Sequence, residues 1–116
     1  MEPSKQLDLR YIAGLFDGEG CISLHVNRSG VPERYAKPRD VIQVSITNTF
    51  REVLDILKTQ FGYGCVHKTN NPKNPKHKQC YSWTMTANKA KTFLREIEPF
   101  LIIKGAKARM VLNVGV

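Results

Sequence analysis

The sequence predicts an α+β domain whose helices pack on one face of an antiparallel sheet. Two observations lead to this class: some segments repeat apolar residues at helical spacing, and others alternate apolar with polar residues. These segments follow one another in the order αββαββα. Because consecutive strands form hairpins and the helices lie between them, the helices are expected on one side of the sheet. The length suits a single domain, residues 1–116.

The first helix is predicted over residues 4–17, where apolar side chains recur at helical spacing. Ser4 is the expected N-cap, and the helix is expected to end near Gly18 and Gly20, because glycine tolerates the backbone conformations of helix exits. A strand follows over residues 21–27, in which apolar and polar side chains alternate.

A loop over residues 28–39 leads to a second alternating strand centred near Val44. Thr49 and Glu52 then form a T-x-x-E pattern, which is typical of a capping box at a helix start. We therefore expect a second helix that begins there and ends at Gly62.

The second half of the chain repeats this pattern. Two further strands are predicted, over residues 64–69 and 80–86. Between them lies a lysine-rich loop, residues 68–78. Asn88 is the expected cap of a third helix, which Pro99 ends, and an amphipathic stretch covers about residues 104–114.

The charge balance points to a polyanionic partner. The chain has 18 Lys and Arg against 10 Asp and Glu, a net charge of +8 and a pI near 9.6. Nucleic acid is the usual partner of such a chain, although ribosomal proteins and some membrane-surface binders share this balance.

No apolar run is long enough to cross a bilayer, and the N-terminus has no secretory core. A soluble protein of a bacterial or phage-infected cytoplasm, or of an organelle, is therefore expected rather than a secreted one. The three cysteines form no C-x-x-C pair, which favours reduced thiols in or beside strands.

Strand alternation predicts a polar face on the side of the sheet away from the helices. Its members are Ser23, His25, Asn27, Gln43, Ser45, Thr47, His67, Thr69, Ser82 and Thr84. Such a face is equally compatible with an ordinary solvated surface. The adjoining loops are basic, however, and supply Arg28, Arg34, Lys37, Arg39, Lys68, Lys73, Lys76 and Lys78. This basic frame favours a face that lies along a DNA groove, with the lysine loop on phosphates rather than merely solvated.

The segment 11–20 is unusual on physical grounds. It has Gly14 and Gly18 four residues apart inside a helix, where each glycine costs roughly 0.5–1 kcal/mol relative to alanine. Small residues at that spacing let another helix approach closely. Asp17 and Glu19 lie at the helix end, where the dipole disfavours acids, so a cation or a capping role is indicated.

These ten residues, YIAGLFDGEG, resemble the LAGLIDADG motif, with Glu19 in place of the second aspartate. The resemblance extends to the αββαββα order, to the turn at 61–64 and to Pro99-Phe100-Leu101 followed by Lys104. It covers Leu7 to Met110 and is typical of single-motif LAGLIDADG homing endonucleases. The fold implied has helices on one face of the sheet and DNA on the other.

The resemblance implies a homodimer whose motif helices pack together, with Ala13, Gly14 and Asp17 at the interface. Glu19, helped by the backbone carbonyl of Gly18, would bind Mg²⁺, for which Mn²⁺ or Ca²⁺ are expected to substitute in binding. Oxygen ligands suit such a cation, and two-fold symmetry brings two acids together. The implied reaction is phosphodiester hydrolysis of double-stranded DNA at a long near-palindromic site, which leaves 3′ overhangs.

Further residues are assigned by the same resemblance. Lys104 would stabilise developing charge, although a solvated lysine is the alternative. Thr47 or Asn48 would supply the polar group at the end of the second strand, and Asn48 is equally suited to local capping. Arg51 is a weaker candidate for a basic pocket. Asp17 is expected to accept backbone N–H groups near the interface rather than to bind metal.

Two other functions fit the same scaffold. One is an RNA-binding maturase that helps its host intron fold, and the other is a catalytically silent DNA-binding regulator. Glu19 and Lys104 together argue against the silent regulator, because a protein that only binds DNA needs neither group.

Overall fold

A computed structural model describes residues 6–27, 39–69 and 78–113. Its elements, in chain order, are α1 (Leu9–Glu19), β1 (Gly20–Asn27), β2 (Arg39–Asn48), α2 (Arg51–Phe61), β3 (Cys65–Lys68), β4 (Tyr81–Thr86), α3 (Ala87–Ile97), a 3-10 turn (Glu98–Phe100) and α4 (Gly105–Asn113). The predicted α+β class and the αββαββα order are confirmed, with α4 as the final amphipathic stretch. No helix in the described part of the chain is long and apolar enough to span a bilayer.

The four strands form one antiparallel sheet in the order β1-β2-β4-β3. β2 and β4 are therefore central, and β1 and β3 are its edges. The register aligns Ile22 with Val44, and Val44 with Met85, so that these buried residues share one face. The intervening residues share the other face, as strand alternation predicts.

The helices cover the apolar face, where the side chains lose their contact with water. At the centre, the Trp83 ring contacts Phe93 edge-on, with centroids 5.1 Å apart and planes at 89°. Phe93 in turn meets Phe16 of α1 at 5.8 Å. Trp83 is fully buried, so its role is core packing.

Two glycines are required by close packing near this core. Gly64 has a φ of +90°, and a Cβ there would lie 2.2 Å from Nε1 of Trp83. That indole nitrogen donates a hydrogen bond to the backbone oxygen of Tyr63 at 3.0 Å. At the exit of α1, a Cβ on Gly20 would lie 2.3 Å from the ring of Phe16. Both positions need glycine for steric reasons that are visible within the chain.

The first helix begins later than predicted, and it ends near Gly18 and Gly20 as predicted. Asp8 is its N-cap, and the carboxylate accepts the backbone N–H of Arg10 at 2.7 Å. Ser4, the predicted cap, lies outside the described residues. The helix continues through Gly18 to Glu19, because Gly20, rather than Gly18, adopts the extended conformation that ends it.

The capping box predicted for α2 is wrong. The helix begins at Arg51 with Phe50 as N-cap, and no side chain caps it. Instead, Oδ1 of Asn48 accepts the backbone N–H of Phe50 at 2.9 Å. This local turn sets the end of β2 and moves the helix start past Thr49, so that Glu52 falls in the first turn rather than in a box. Gly62, in the left-handed conformation, ends the helix as predicted.

The predicted cap of α3 is also displaced. The helix begins at Ala87, with Thr86 as N-cap, and Asn88 is a helical residue whose backbone oxygen accepts the hydroxyl of Thr92 at 2.8 Å. Because β4 runs directly into α3, there is no loop in which Asn88 could act as a cap.

Candidate active site and nucleic-acid interface

The outward face of α1 is apolar and contains two glycines. Tyr11 is 55% exposed, and Gly14 and Gly18 are exposed. Apart from the adjacent backbone of the helix, no described atom lies within 4 Å of the position that a Cβ would take at either glycine. Nothing in the described chain therefore requires glycine at these two positions. Ala13, by contrast, is fully buried in the subunit core. The interface predicted from Ala13 and Gly14 consequently depends on Gly14 and its neighbours, since the Ala13 side chain is already enclosed.

Asp17, in the last turn of α1, accepts hydrogen bonds from the backbone of a loop 85 to 87 residues further on. Its Oδ2 accepts the N–H of Ile102 at 2.8 Å, and its Oδ1 accepts the N–H of Lys104 at 3.0 Å. This is the backbone-binding role that the sequence predicts for Asp17. Both carboxylate oxygens are thereby occupied by donors within the chain.

These donors alter the acidity of Asp17. Partial burial alone would raise the pKa of its carboxyl, but the N–H groups of Ile102, Lys104 and Ile103, together with the Lys104 charge, outweigh burial. The net pKa of Asp17 is lower than its ordinary value, so the ionised form is favoured in the folded chain.

Lys104 binds the C-terminal end of α1. Its ammonium donates to the backbone oxygen of Asp17 at 2.6 Å. No basic residue occurs in the last turn of this helix, whose free carbonyls and two acids make a negative end. A cation supplied from the loop before α4 therefore stabilises this end, and the Lys104 amine is brought within two residues of Glu19.

Glu19 is the last residue of α1, and its side chain is exposed. Within the described ranges, no group of three or more His, Cys, Asp or Glu side chains could hold a metal ion. One chain thus offers one candidate carboxylate together with the exposed helix end at Gly18. Carboxylate and carbonyl oxygens are suitable ligands for Mg²⁺, and these two are fewer than the six that the ion takes.

The end of β2 lies beside Glu19. Gly20, the residue after Glu19, pairs with Ile46 in the antiparallel register. Continued by one residue, the same register brings Thr47 next to Glu19. Thr47 is on the polar face and donates its hydroxyl to Oγ of Ser82 at 3.2 Å. Asn48 faces the opposite side and caps the backbone of Phe50, so the local-capping alternative is the one observed. Thr47 is the better candidate of the two for a role next to Glu19.

The Arg51 side chain makes its contacts elsewhere, away from Glu19 and Thr47. Its guanidinium lies 5.4 Å from the ring centroid of Tyr81, and its Nε is 3.5 Å from Oδ2 of Asp55. Tyr81 is adjacent in the register to Asn48 and Lys68, on the helix side of the sheet. A role for Arg51 in a basic pocket stays a prediction.

The polar face is formed as predicted by residues that alternate with the core. Its described side chains are Cys21, Ser23, Val41, Gln43, Ser45, Thr47, Cys65, His67, Ser82, Thr84 and Thr86. At its centre, Ser82 lies between Thr47 and Thr84, at 3.2 and 3.4 Å. Ser82 is only 4% exposed, so it acts first as a link in this hydroxyl chain and offers little surface to a ligand.

The predicted basic frame is described only in part. Lys78 and Thr69 are exposed at the ends of the 68–78 loop. Lys68 pairs with Tyr81 and so lies on the helix side of the sheet, and a phosphate contact from it stays a prediction. The remaining positions are outside what the structure describes: the residues Arg28, Arg34, Lys37, Lys73 and Lys76, and the side chains of His25, Asn27 and Arg39.

Sequence reasoning missed two exposed apolar residues beside the site. Ile102 and Ile103 are 88% and 75% exposed, on the loop whose backbone Asp17 holds. Two consecutive isoleucines before Lys104 are a visible signal, because a loop rarely exposes both. Their backbone lies against Asp17, so this exposed apolar pair is adjacent to the last turn of α1.

The fold and the site define the class of protein. The sequence profile of the LAGLIDADG endonuclease family matches residues 12–107, which is most of the chain. The chain belongs to the LAGLIDADG endonuclease family.

Solved structures of homing endonucleases share this fold. The homing endonuclease I-CvuI, in complex with the I-CreI target in the presence of Mg, has a TM-score of 0.72 and 21% identity over 90% of this chain and 62% of its own. The archaeal intron-encoded homing endonuclease I-Vdi141I, complexed with DNA, has a TM-score of 0.67 and 25% identity over 88% and 62%. The homing endonuclease I-TnaI has a TM-score of 0.63 and 25% identity over 93% and 73%.

The chain therefore spans about 62% of the length of the first two of these structures. A search of curated protein sequences gave no significant match.

Proposed function

We propose that this chain is one subunit of a site-specific homing endonuclease that hydrolyses double-stranded DNA as a homodimer. Its target would be long and near-palindromic, its reaction Mg²⁺-dependent, and its products would have 3′ overhangs. Membership of the LAGLIDADG endonuclease family supports the coarser part of this statement, that the protein is a DNA-binding nuclease.

The main observation behind the proposal is that Glu19 is exposed at the end of α1, a helix whose outward face contains Gly14 and Gly18. Gly14 and Gly18 leave the α1 backbone open to close approach, and no contact in the described part of the chain explains them. A second copy packed on this face by two-fold symmetry would bring a second Glu19 to the same helix end. The single candidate carboxylate of one chain would thereby become a pair.

Divalent metal is supported by the chemistry of these donors. Glu19 and the Gly18 carbonyl would provide hard oxygen ligands, and the second subunit and DNA phosphates would complete the set. The ion, when bound, supplies an activated water and stabilises the leaving oxygen. The related I-CvuI was crystallised with DNA in the presence of Mg in one structure and of Ca in another.

Within the chain, Lys104 would stabilise negative charge that develops at the scissile phosphate. Its amine is held by the backbone oxygen of Asp17 at 2.6 Å, and so is oriented before DNA arrives. Asp17 is a positioning residue in this scheme, because both its oxygens bind the backbone of the Lys104 loop. Thr47 lies at the adjacent end of β2 and can orient a water or a phosphate oxygen through its hydroxyl.

DNA would lie against the polar face. Ser23, Gln43, Ser45 and Thr84 are part-exposed side chains that can both donate and accept hydrogen bonds at base edges. The basic loops beside the face would contact phosphates, and the excess of 18 basic over 10 acidic residues supports that electrostatic contribution.

The decisive test begins with selection of cleaved sites from a random duplex library in Mg²⁺, because the target is unknown. Glu19→Gln should then abolish cleavage of the selected site while DNA affinity stays within about twofold, since the amide keeps the size and loses the charge. Glu52→Gln, at an exposed glutamate of α2 away from the site, is the matched control and should cut normally.

Three results would overturn the proposal in different ways. Undiminished cleavage by Glu19→Gln would remove Glu19 from the chemistry. Enrichment of a DNA sequence without cleavage would indicate the silent regulator. Failure to enrich any DNA, with binding to a structured intron RNA instead, would indicate a maturase.

A further inference from the structure

Four side chains form a straight row across the whole polar face. The register pairs Cys21 with Ser45, Ser45 with Thr84, and Thr84 with Cys65. The row therefore begins and ends with a thiol, one on each edge strand of the sheet. Three inter-strand spacings separate the two cysteines, a distance of about 14 Å.

The exposure of these two thiols is unusual. Cysteine is among the most buried residue types in proteins, yet Cys21 and Cys65 are both exposed and free. Cys80 is different, because it is only partly exposed and its thiol lies 3.9 Å from the backbone oxygen of Lys78. Two exposed thiols aligned at opposite edges of one face call for a function of that face.

A thiol contributes a different chemistry from the hydroxyls between them. Its sulfur is polarisable and weakly hydrated, and it behaves as a small apolar group. In the major groove, the apolar feature of the base edges is the C5-methyl group of thymine, which small apolar side chains recognise by contact. The edge thiols are thus suited to a methyl group, and Ser45 and Thr84 to polar base edges.

The dimensions fit this assignment. The major groove is about 12 Å wide, close to the separation of the two edge strands, so a sheet lying along the groove directs its edges towards opposite walls. C5 is the pyrimidine position in that groove nearest to its own sugar–phosphate chain. Each edge thiol would therefore face the C5 positions of a different DNA strand.

We propose that Cys21 and Cys65 are specificity-determining residues that select C5-methylated pyrimidines in the target. This inference rests on the proposed DNA-binding function and adds to it the base feature that is recognised. Either thymine or 5-methylcytosine can supply the methyl group, and the experiment below separates them.

The test uses wild-type protein and a duplex obtained by library selection. Each thymine is replaced singly by uracil, which removes the methyl group and keeps every hydrogen-bonding group. Affinity should fall about fourfold at the positions that contact a thiol, the amount expected for one buried methyl group, and should not change elsewhere. The thymines at those same positions are then replaced by cytosine and, separately, by 5-methylcytosine. A higher affinity for the 5-methylcytosine duplex than for the cytosine duplex shows that the methyl group alone restores binding.

Paired variants connect the effect to the thiols. The double variant Cys21→Ser with Cys65→Ser replaces apolar sulfur by hydrated oxygen and should no longer distinguish thymine from uracil. Cys21→Ala with Cys65→Ala keeps an apolar contact and should retain the distinction. Cys80→Ser controls for loss of a thiol elsewhere and should behave as wild type.

The outcomes are separable from those of the proposed function. If the selected duplex binds and no uracil substitution weakens binding, the thiol assignment is wrong and the nuclease proposal stands. The assignment is also wrong if the serine double variant keeps the thymine preference. If no duplex can be selected at all, the DNA-binding function fails and the thiol assignment fails with it.

Discussion

Asp17 and Lys104 are joined by two hydrogen bonds, and in both of them Lys104 donates and Asp17 accepts. The backbone N–H of Lys104 donates to Oδ1 of Asp17 at 3.0 Å, and the Lys104 ammonium donates to the backbone oxygen of Asp17 at 2.6 Å. The pair joins the end of α1 to the loop before α4, across 87 residues. It therefore sets the position of the amine relative to Glu19.

Asp17→Asn should weaken both stability and cleavage. An amide can accept at one oxygen only, and its NH₂ would oppose one of the two backbone N–H donors. We expect a loss of about 1–3 kcal/mol in the free energy of unfolding, and a lower kcat with nearly unchanged DNA affinity. Urea denaturation and single-turnover cleavage measure the two effects.

Asp55→Asn is the control for that change. It breaks an exposed ion pair with Arg51 on α2, in which both side chains are about half exposed. Such pairs contribute at most about 1 kcal/mol. Equal unfolding midpoints for Asp17→Asn and wild type would contradict the role given to Asp17.

Acid should remove the contribution of Asp17 selectively. The pKa of Asp17 in the folded chain lies below its ordinary value of 3.8, so its stabilising effect is present above pH 3.8 and is lost as pH falls through the lower folded value. The difference in unfolding free energy between wild type and Asp17→Asn should be constant near neutrality and shrink in that acid range. A difference that grew on acidification would have the wrong sign.

Gly14→Leu should separate folding from self-association. The position is open and helical, so leucine gains about 0.5–1 kcal/mol of helix propensity over glycine within one chain. It should nevertheless block close helix packing and yield a monomer in sedimentation equilibrium. The thermal midpoint should also lose its dependence on protein concentration.

Thr59→Leu places the same side chain on an exposed position of α2 and should leave the dimer intact. A dimer of normal affinity in Gly14→Leu would show that the glycine face of α1 is not the interface.

Gly64→Ala should destabilise the core without touching the site. A Cβ there meets Nε1 of Trp83 at 2.2 Å, and the φ of +90° disfavours any side chain. Displacement of the indole would also cost its hydrogen bond to Tyr63. We expect a loss of about 2–4 kcal/mol, measured by urea denaturation, and a wild-type midpoint would contradict this packing.

The order of elements was predictable because hydrophobic periodicity is local. Val44 and Met85 alternate with polar neighbours, and the spacing of Phe93 and Ile97 is helical, so the elements and their buried faces follow from the chain alone. Helix starts were less predictable. Before α2, the side-chain oxygens of Asn48 and Thr49 can both accept a hydrogen bond from nearby backbone N–H groups. The sequence does not determine which of the two forms the bond, and in the structure it is Asn48.

The site was predictable where it depends on one helix and not where it depends on distant contacts. The acids of α1 and the role of Asp17 follow from the motif, whereas the exposure of Ile102 and Ile103 follows from the grip of Asp17 on their loop. The enclosure of Ala13 likewise depends on which side of α1 the other helices cover. Neither the exposure of the two isoleucines nor the burial of Ala13 can be predicted from a short stretch of sequence.

The shared pair of Glu19 carboxylates is the central claim, and mixed dimers test it most directly. Wild-type and Glu19→Gln chains are combined in equal amounts under conditions of subunit exchange, and double-strand cleavage of the selected site in Mg²⁺ is measured. If both acids are needed, only the wild-type homodimers cut, and activity falls to about one quarter. Nicking of one strand by the mixed dimers, about half of the population, on the same substrate would show that each chain cuts with its own Glu19, and would contradict the shared site.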